Sequence, residues 1–311
     1  MEKLAGSKWF WLLGAAAPAA LGASPAAGLL AGAAAAAVAG NACRAFTAKA
    51  SKYLLQGSVT LLGFGLAIAQ VLQVGRSSVW ITLAGITFTL GAGYLLGKLF
   101  RVGRDLSLLI SCGTAICGGS AIAAVAPAIG ASQADTAMSL SVVFLLNALA
   151  LLVFPHIGHH FMLDQQAFGL WSAMAIHDTS SVVGAAAIYG PAALAIATTV
   201  KLTRALWIIP VSFFFAQKRK TGAGPVVPWF LLGFLAAALL RSLLPEALPL
   251  WDALNALGKR SMSGALFLVG AGLSVRELGR IGPRPLLKAA FLWLTVSAVS
   301  LFAILRFGLR A

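Results

Sequence analysis

Long apolar runs, interrupted by short groups of charged or turn-forming residues, make up most of this 311-residue chain. A helix needs about 20 mainly apolar residues to cross a membrane. The pattern predicts eleven spans, at residues 9–22, 26–40, 53–73, 78–97, 106–127, 135–154, 167–189, 192–215, 226–244, 248–274 and 286–305. The first two are short, rich in alanine and only weakly hydrophobic, so we expect them to form a hairpin that packs on other helices.

The composition supports a membrane protein. Hydrophobic residues make up 60% of the chain and charged residues 10%, whereas a soluble domain has about 25% charged residues. We therefore predict an all-α polytopic membrane protein with a single domain over residues 1–311. Within it we distinguish the weak N-terminal hairpin (9–40), a first half (about 41–155) and a second half (about 165–311). The N-terminus also resembles a signal peptide, but the topology uses it as the first span.

The basic residues give the expected orientation. The net charge of +15 comes from Lys and Arg spread over the gaps between apolar runs, a pattern typical of topology signals and lipid contacts rather than nucleic-acid binding. With the N-terminus inside, the cytoplasmic gaps and the adjoining Lys288 hold 15 Lys and Arg, against four outside. These cytoplasmic segments are 1–8, 41–52, 98–105, 155–166, 216–225 and 275–285. The positive-inside rule thus predicts a cytoplasmic N-terminus and an external C-terminus.

Two weak internal similarities indicate a duplicated architecture. Residues 52–66 (KYLLQGSVTLLGFGL) align with 259–273 (KRSMSGALFLVGAGL), and 115–122 (AICGGSAI) align with 175–182 (AIHDTSSV). Such repeats are typical of secondary transporters.

Three polar or glycine-rich segments predict breaks inside apolar helices. They are TAICGGSA (114–121), HDTSS (177–181) and GKRSMSG (258–264). A broken helix leaves backbone N–H groups unpaired, which is tolerated at this depth only beside a cavity or other protein. Because helix N-termini attract anions, these breaks favour an anion site.

The few ionisable residues inside the spans point the same way. Asp178 is the one acidic residue well inside a predicted span, and an ionisable group there costs about 3 kcal/mol on insertion scales. Four cations lie inside spans: Lys201 and Arg204 on one helical face, and Lys259 with Arg260 as a further cationic site. An interior with four cations and one acid suits an anion.

Structural roles remain open for the same residues. Asp178 would also be explained by an ion pair with Lys201 or Arg204, and the hydroxyls by hydrogen bonds to neighbouring helices. Lys259 and Arg260 could extend to a membrane interface. Histidine ordinarily titrates near neutral pH, so His177 is a candidate proton carrier, although neighbouring residues of a continuous helix point about 100° apart.

Enzymatic signatures are absent from the sequence. It has no P-loop, GxSxG or HExxH motif, so we expect neither an enzyme nor ATP-driven transport, and no cofactor. Cys43, Cys112 and Cys117 form no CxxC pair, so we expect small buried side chains rather than a disulfide or metal site.

Four longer stretches closely resemble the YeiH-type family of bacterial inner-membrane proteins, commonly labelled sulfate exporters. They are ISCGTAICGGSAIAAVAPAI (110–129), SVVFLLNALALLVFPHIG (141–158), FGLWSAMAIHDTSSVVGAAAIYG (168–190) and ATTVKLTRALWIIP (197–210). The resemblance implies an inverted-repeat carrier similar to sodium/proton antiporters and bile-acid symporters. Such carriers have a panel domain, a core domain with crossing broken helices, and alternating access.

The resemblance and the residues together give a functional hypothesis. We expect a bacterial inner-membrane secondary transporter that exports sulfate, sulfite or a small sulfonate, coupled to a proton or sodium gradient. The expected substrate-binding residues are Lys201, Arg204, Cys117, Gly118, Gly119, Ser120, Thr179, Ser180 and Ser181, with Asp178 and His177 for the coupling ion. The expected partners are the anion, H⁺ or Na⁺, the lipid bilayer and, in one arrangement, a second copy as a homodimer. The alternative is a cation/proton antiporter with Asp178 as its ion site.

Overall fold

The computed structural model describes residues 7–23, 25–219, 229–272 and 282–309. All regular structure in these ranges is helical, which confirms the all-α prediction. The helices are α1 (Lys8–Ala20), α2 (Pro25–Ala39), α3 (Arg44–Leu62), α4 (Ile68–Leu99), α5 (Arg104–Ala115), α6 (Gly119–Ile129), α7 (Gln133–His160), α8 (Gln165–Ala175), α9 (Thr179–Tyr189), α10 (Pro191–Leu206), α11 (Ile208–Arg219), α12 (Trp229–Leu243), α13 (Leu248–Gly272) and α14 (Pro283–Phe307). Each predicted apolar run lies on one or two of these helices.

Parts of the predicted cytoplasmic segments 1–8, 216–225 and 275–285 lie outside the described residues. The proposed sidedness of the termini therefore stays a prediction.

Within the described parts of the chain, four stretches are long and apolar enough to cross a membrane as they stand. They are Ile68–Leu99, Gln133–His160, Pro191–Arg219 and Pro283–Phe307, and a fifth results if the pair Leu232–Leu243 and Pro245–Gly272, bent by 103°, counts as one span. Shorter apolar helices such as α6 and α9 have 11 residues each. At 1.5 Å per residue they are too short to cross alone. Membrane-length helices are thus present, and the total of about eleven crossings stays a prediction.

Contacts divide the chain into two compact units. The first comprises Met1–Gln73 and Trp229–Arg276, and the second Val74–Pro228 and Glu277–Ala311. Each unit is built from segments that are far apart in sequence. Of the residues expected to form a site, Lys259 and Arg260 belong to the first unit and all others to the second.

In the first unit, α1, α2 and α3 pack on α13. Glycines allow the close approach: a Cβ on Gly28 would overlap the backbone of Ser263, and one on Gly32 that of Phe267. Small residues at membrane helix contacts let backbones approach in this way. The weakly hydrophobic helices α1 and α2 therefore pack on α13, and the N-terminal hairpin stays a prediction.

The predicted break at residues 258–264 is wrong, because α13 is continuous from Leu248 to Gly272. The two glycines of the segment are contact positions. A Cβ on Gly258 would lie 2.8 Å from the Cβ of Leu61 on α3, and a Cβ on Gly264 would overlap the backbone of α1. Glycine in an apolar run thus marks a close helix contact here.

The third predicted span contains a break that the sequence pattern did not predict. A short 3₁₀ turn, Gly63–Gly65, separates α3 from α4. Side chains of α12 bond the backbone groups that the break frees: Arg241 Nη1 donates to the carbonyl of Phe64 (2.7 Å), and Ser242 Oγ accepts from the N–H of Ile68 (2.8 Å). The break is therefore satisfied within the first unit, as the membrane interior requires.

The second unit has an aromatic core between α7, α8 and α14. Trp171 stacks on Phe154 with ring centroids 4.3 Å apart, and Trp293 lies 5.9 Å from Phe154. The indole N–H of Trp171 donates to the carbonyl of Ser297 (3.0 Å). Helix α8 also packs on α10, and α5 packs on α7. These contacts hold the broken helices α5–α6 and α8–α9 in place.

Candidate functional site

Two helix breaks meet in the second unit. Residues 116–118 separate α5 from α6, and residues 176–178 separate α8 from α9, as the composition of both segments predicts. A Cβ on Gly118 would lie 2.9 Å from the Cβ of Asp178, and Gly118 has a φ of +64°. Glycine adopts this left-handed conformation without steric cost. The contact between the two breaks thus depends on a residue that has no side chain.

Asp178 forms the N-cap of α9. Its backbone is extended, and its Oδ1 accepts a hydrogen bond from the N–H of Ser181 (3.2 Å). The residue is 9% exposed. Among the described residues no Lys or Arg nitrogen lies within 4.0 Å of its carboxylate. The direct ion pair with Lys201 or Arg204 that we considered from the sequence is therefore absent from this geometry.

Lys201 of α10 extends to the C-terminal end of α8. Its side chain is fully buried, and Nζ donates to the carbonyls of Ile176 (2.7 Å) and Ala173 (3.3 Å). The last carbonyls of a helix lack helical partners and form the negative end of the helix dipole. The ammonium group therefore both satisfies these carbonyls and compensates their charge.

Arg204, one turn further along α10, bonds the C-terminal ends of both broken helices. Its Nε donates to the carbonyl of Ala115 at the end of α5, and its Nη1 donates to those of Met174 and Ala173 in α8. Arg204 is 1% exposed, and its Nη2 is buried without a partner among the described residues. One guanidinium thus links two helix ends that are far apart in sequence.

The N-terminal ends of α6 and α9 present the hydroxyl groups. Ser120 is exposed, and Thr179 and Ser180 are half-buried. Ser181 is buried, with its N–H bonded to Asp178. Helix N-termini are positive ends with free N–H groups. Where the two breaks meet, the N-terminal ends of α6 and α9 therefore offer hydrogen-bond donors at partly exposed positions. The C-terminal ends of α5 and α8 are covered by Lys201 and Arg204.

The other motif residues lie around the contact between the breaks. Cys117 and Gly118 are buried, and Gly119 is half-buried at the start of α6. His177 is fully buried next to Asp178. The structure therefore brings the sequence motifs of both breaks and of α10 together.

Lys259 and Arg260 belong to the first compact unit, whereas the two breaks belong to the second. Both are exposed on the continuous helix α13 of the first unit. Since α13 has no break at these positions, the structural argument for a further cationic site there is lost.

Sequence reasoning missed two buried polar residues of the second unit. Asn147 on α7 is 2% exposed, and its Oδ1 accepts from the backbone N–H of His177 (3.1 Å). Lys288, which the sequence placed at a cytoplasmic boundary, is fully buried and donates to the Ser107 carbonyl (2.9 Å) and the Ser111 hydroxyl (2.8 Å). A polar residue within the long apolar run of α7 was the available signal for Asn147. No sequence signal marked Lys288 as buried, because a Lys at the start of a predicted helix is typical of the polar boundary next to a loop.

The sequence matches the model of a known protein family. The family model described as "Conserved hypothetical protein 698" matches residues 15–289. The chain belongs to this family. Similar relatives are UPF0324 membrane proteins of Geobacter sulfurreducens (52% identity over 258 residues, 83% of each chain), Bdellovibrio bacteriovorus (48% over 266, 83% of this chain and 82% of the relative) and Bacteroides thetaiotaomicron (44% over 260, 82% and 78%). No solved structure matches the chain.

Membership of the UPF0324 family agrees with the membrane-length apolar helices, so the chain is a membrane protein. The matched region contains both helix breaks and α10. The names of the three relatives state neither a substrate nor an activity.

Proposed function

We propose that this UPF0324 protein is a secondary active transporter of a small sulfur oxyanion, sulfate, sulfite or a small sulfonate, which it exports by alternating access. The observation that supports this most directly is the contact between the two helix breaks. It places the N-terminal ends of α6 and α9 beside each other, and hydroxyls at these ends lie at partly exposed positions. Paired half-helix N-termini are a means by which transporters bind anionic groups.

The buried cations also favour a negatively charged substrate. Lys201 and Arg204 add two positive charges at the helix ends beside the two breaks, whereas Asp178 supplies one negative charge there. Their bonds to backbone carbonyls fix the cations in place. In a low-dielectric interior their charge acts over several ångströms without direct contact. We therefore propose that they favour the anion by their potential, and that Ser120, Thr179 and Ser180 donate the hydrogen bonds.

The proposal includes the architecture inferred from the sequence. It comprises about eleven spans, an inverted repeat with a panel and a core domain, and a place in the bacterial inner membrane with the N-terminus cytoplasmic. The likeness between the two breaks supports an internal duplication of the break segment. Residues 115–122 and 175–182 align in sequence, and each contains a helix end, a three-residue break and a new helix start at matching positions.

Flux into proteoliposomes tests the function. We expect purified protein to move labelled sulfate or sulfite, or a small sulfonate, and a proton or sodium gradient to drive accumulation against the anion gradient. Protein-free liposomes and chloride as the test anion are the controls. Absence of flux for every sulfur oxyanion, with either gradient imposed, would contradict the proposal.

A cation/proton antiporter is the second candidate, because Asp178 is buried and has no Lys or Arg within 4.0 Å among the described residues. A carboxylate in this state could bind Na⁺ or a proton by itself. The same vesicles discriminate between the two functions. An antiporter exchanges Na⁺ or Li⁺ for protons without any oxyanion, whereas the anion carrier moves protons or Na⁺ only when the oxyanion is present.

A further inference from the structure

Asn147 contacts the break between α8 and α9 through a single oxygen atom. Its Oδ1 accepts from the backbone N–H groups of His177 (3.1 Å) and Asp178 (3.4 Å), and it lies 3.0 Å from Nδ1 of the His177 ring. Both side chains in this contact are buried. One side chain of α7 therefore holds both candidate coupling residues.

The two backbone bonds determine how the Asn147 amide is oriented. A backbone N–H can bond only the oxygen of the amide, because the amide nitrogen is a donor. The same oxygen faces Nδ1 of His177, so Nδ1 must bear a hydrogen. In the neutral ring Nε2 then bears a lone pair, and it has no partner among the described residues. The geometry thus selects one of the two neutral tautomers of His177.

Burial and the neighbouring charges both disfavour a second proton on the His177 ring. The ring is fully buried, and the cationic Lys201 and Arg204 lie on α10. Helices α7 and α14 face it with the uncharged Asn147 and Trp293, and α8 and α9 contain no charged side chain. Two buried cations disfavour a third positive charge nearby.

We propose that Asn147 is a positioning residue for ion coupling. It holds His177 as the neutral Nδ1–H tautomer and holds Asp178 in the extended conformation that places its carboxylate at the start of α9. Asp178 is then the group of the break that exchanges the coupling ion, and His177 is not. The inference rests on the proposed transport function for its role, but the tautomer of His177 can be measured without any transport.

Nitrogen NMR of the full-length protein in lipid or detergent tests the tautomer. The chain has four histidines, so a sample with ¹⁵N-labelled histidine gives few signals, and comparison with His177→Gln assigns the one of interest. We expect a protonated Nδ1 and an unprotonated Nε2, unchanged between about pH 5 and pH 8, the range in which an ordinary histidine titrates. An Nε2–H tautomer, or titration of His177 within this range, would overturn the inference and leave the transport proposal standing.

Two substitutions of Asn147 form a matched pair. Asn147→Asp keeps an acceptor oxygen, so Nδ1 of His177 should stay protonated, whereas the added carboxylate should favour a second proton on the ring. Asn147→Leu is similar in size but has no acceptor. It should lose the tautomer preference and raise the ion concentration for half-maximal flux by about tenfold or more, since an unmade buried hydrogen bond is costly.

Asp178→Asn completes the test and should abolish the dependence of flux on the proton or sodium gradient. Gradient dependence that persists in Asp178→Asn, or an unaltered tautomer and ion dependence in Asn147→Leu, contradicts the inference. If Asn147→Leu does not fold, the wild-type tautomer and the behaviour of Asn147→Asp still decide. If no variant and no wild-type sample shows flux, the transport proposal fails, and the NMR result stands by itself.

Discussion

Gly118 shows how one residue type determines the contact between the two breaks. Its φ of +64° and the 2.9 Å between a Cβ built there and the Cβ of Asp178 both exclude a larger residue without rearrangement. We expect Gly118→Ala to abolish transport and to destabilise the protein by about 1–2 kcal/mol through the left-handed conformation alone. Thermal unfolding in detergent and flux measure the two effects.

Gly91→Ala is the matched control, because a Cβ on Gly91 in α4 meets nothing within 4 Å. Helix propensity alone should make this change neutral or stabilising by up to about 1 kcal/mol. If Gly118→Ala and Gly91→Ala changed flux and thermal unfolding equally, the contact of Gly118 with Asp178 would not explain the effect of Gly118→Ala.

Individual residues differed in how far the sequence could predict their place. Asp178 was identifiable because it is an acid within an apolar run, and the cost of burying it implies a reason. The partners of Lys201 and Arg204 were not identifiable. They are backbone carbonyls 25 to 89 positions away, and a carbonyl at a helix end leaves no mark in the composition.

At the scale of the helices, Arg204 donates the hydrogen bonds that satisfy carbonyls at the C-terminal ends of α5 and α8. Replacing it by methionine, which fills similar space, leaves the carbonyls of Ala115 and Met174 without this donor. We expect Arg204→Met to destabilise the protein by about 3 kcal/mol or more, since each unpaired buried group costs about 1–3 kcal/mol. The midpoint of thermal unfolding in detergent measures this.

Arg219→Met is the control for Arg204→Met. Arg219 pairs with Asp105 at 2.6 Å, but both side chains are 32% exposed. An exposed pair contributes at most about 1 kcal/mol. If loss of Arg219 destabilised the protein as much as loss of Arg204, helix-end compensation would not be the main role of Arg204.

The helices themselves were predicted well by apolar runs, whereas their breaks were predicted only in part. Segments 114–121 and 177–181 break because each contains glycine or polar groups and packs against the break in the other segment. Segment 258–264 has a similar composition but stays helical, since its glycines contact α1 and α3. Composition alone does not distinguish these cases, because the deciding partner lies elsewhere in the chain.

The repeat hypothesis belongs to the scale of the whole molecule. The two internal alignments have different offsets, 207 positions for 52–66 and 60 for 115–122, so one duplication does not produce both. The pair at 115–122 and 175–182 shares helix ends and starts, whereas the other pairs a segment with a 3₁₀ turn and a continuous helix. The structural likeness therefore favours the equivalence of the two helix breaks.

Membrane sidedness gives a prediction for the whole chain. The broken pair α5–α6 lies on one predicted span, 106–127, between a basic cytoplasmic segment, 98–105, and an external loop. Cysteines introduced at Arg104 and Ser132, both exposed, should therefore lie on opposite sides of the membrane. In spheroplasts an impermeant maleimide should label Ser132→Cys at once and Arg104→Cys only after the membrane is opened. The reverse order would invert the proposed topology, and immediate labelling of both would show that α5 and α6 together form a re-entrant hairpin rather than a crossing, because their outer ends would then share one side.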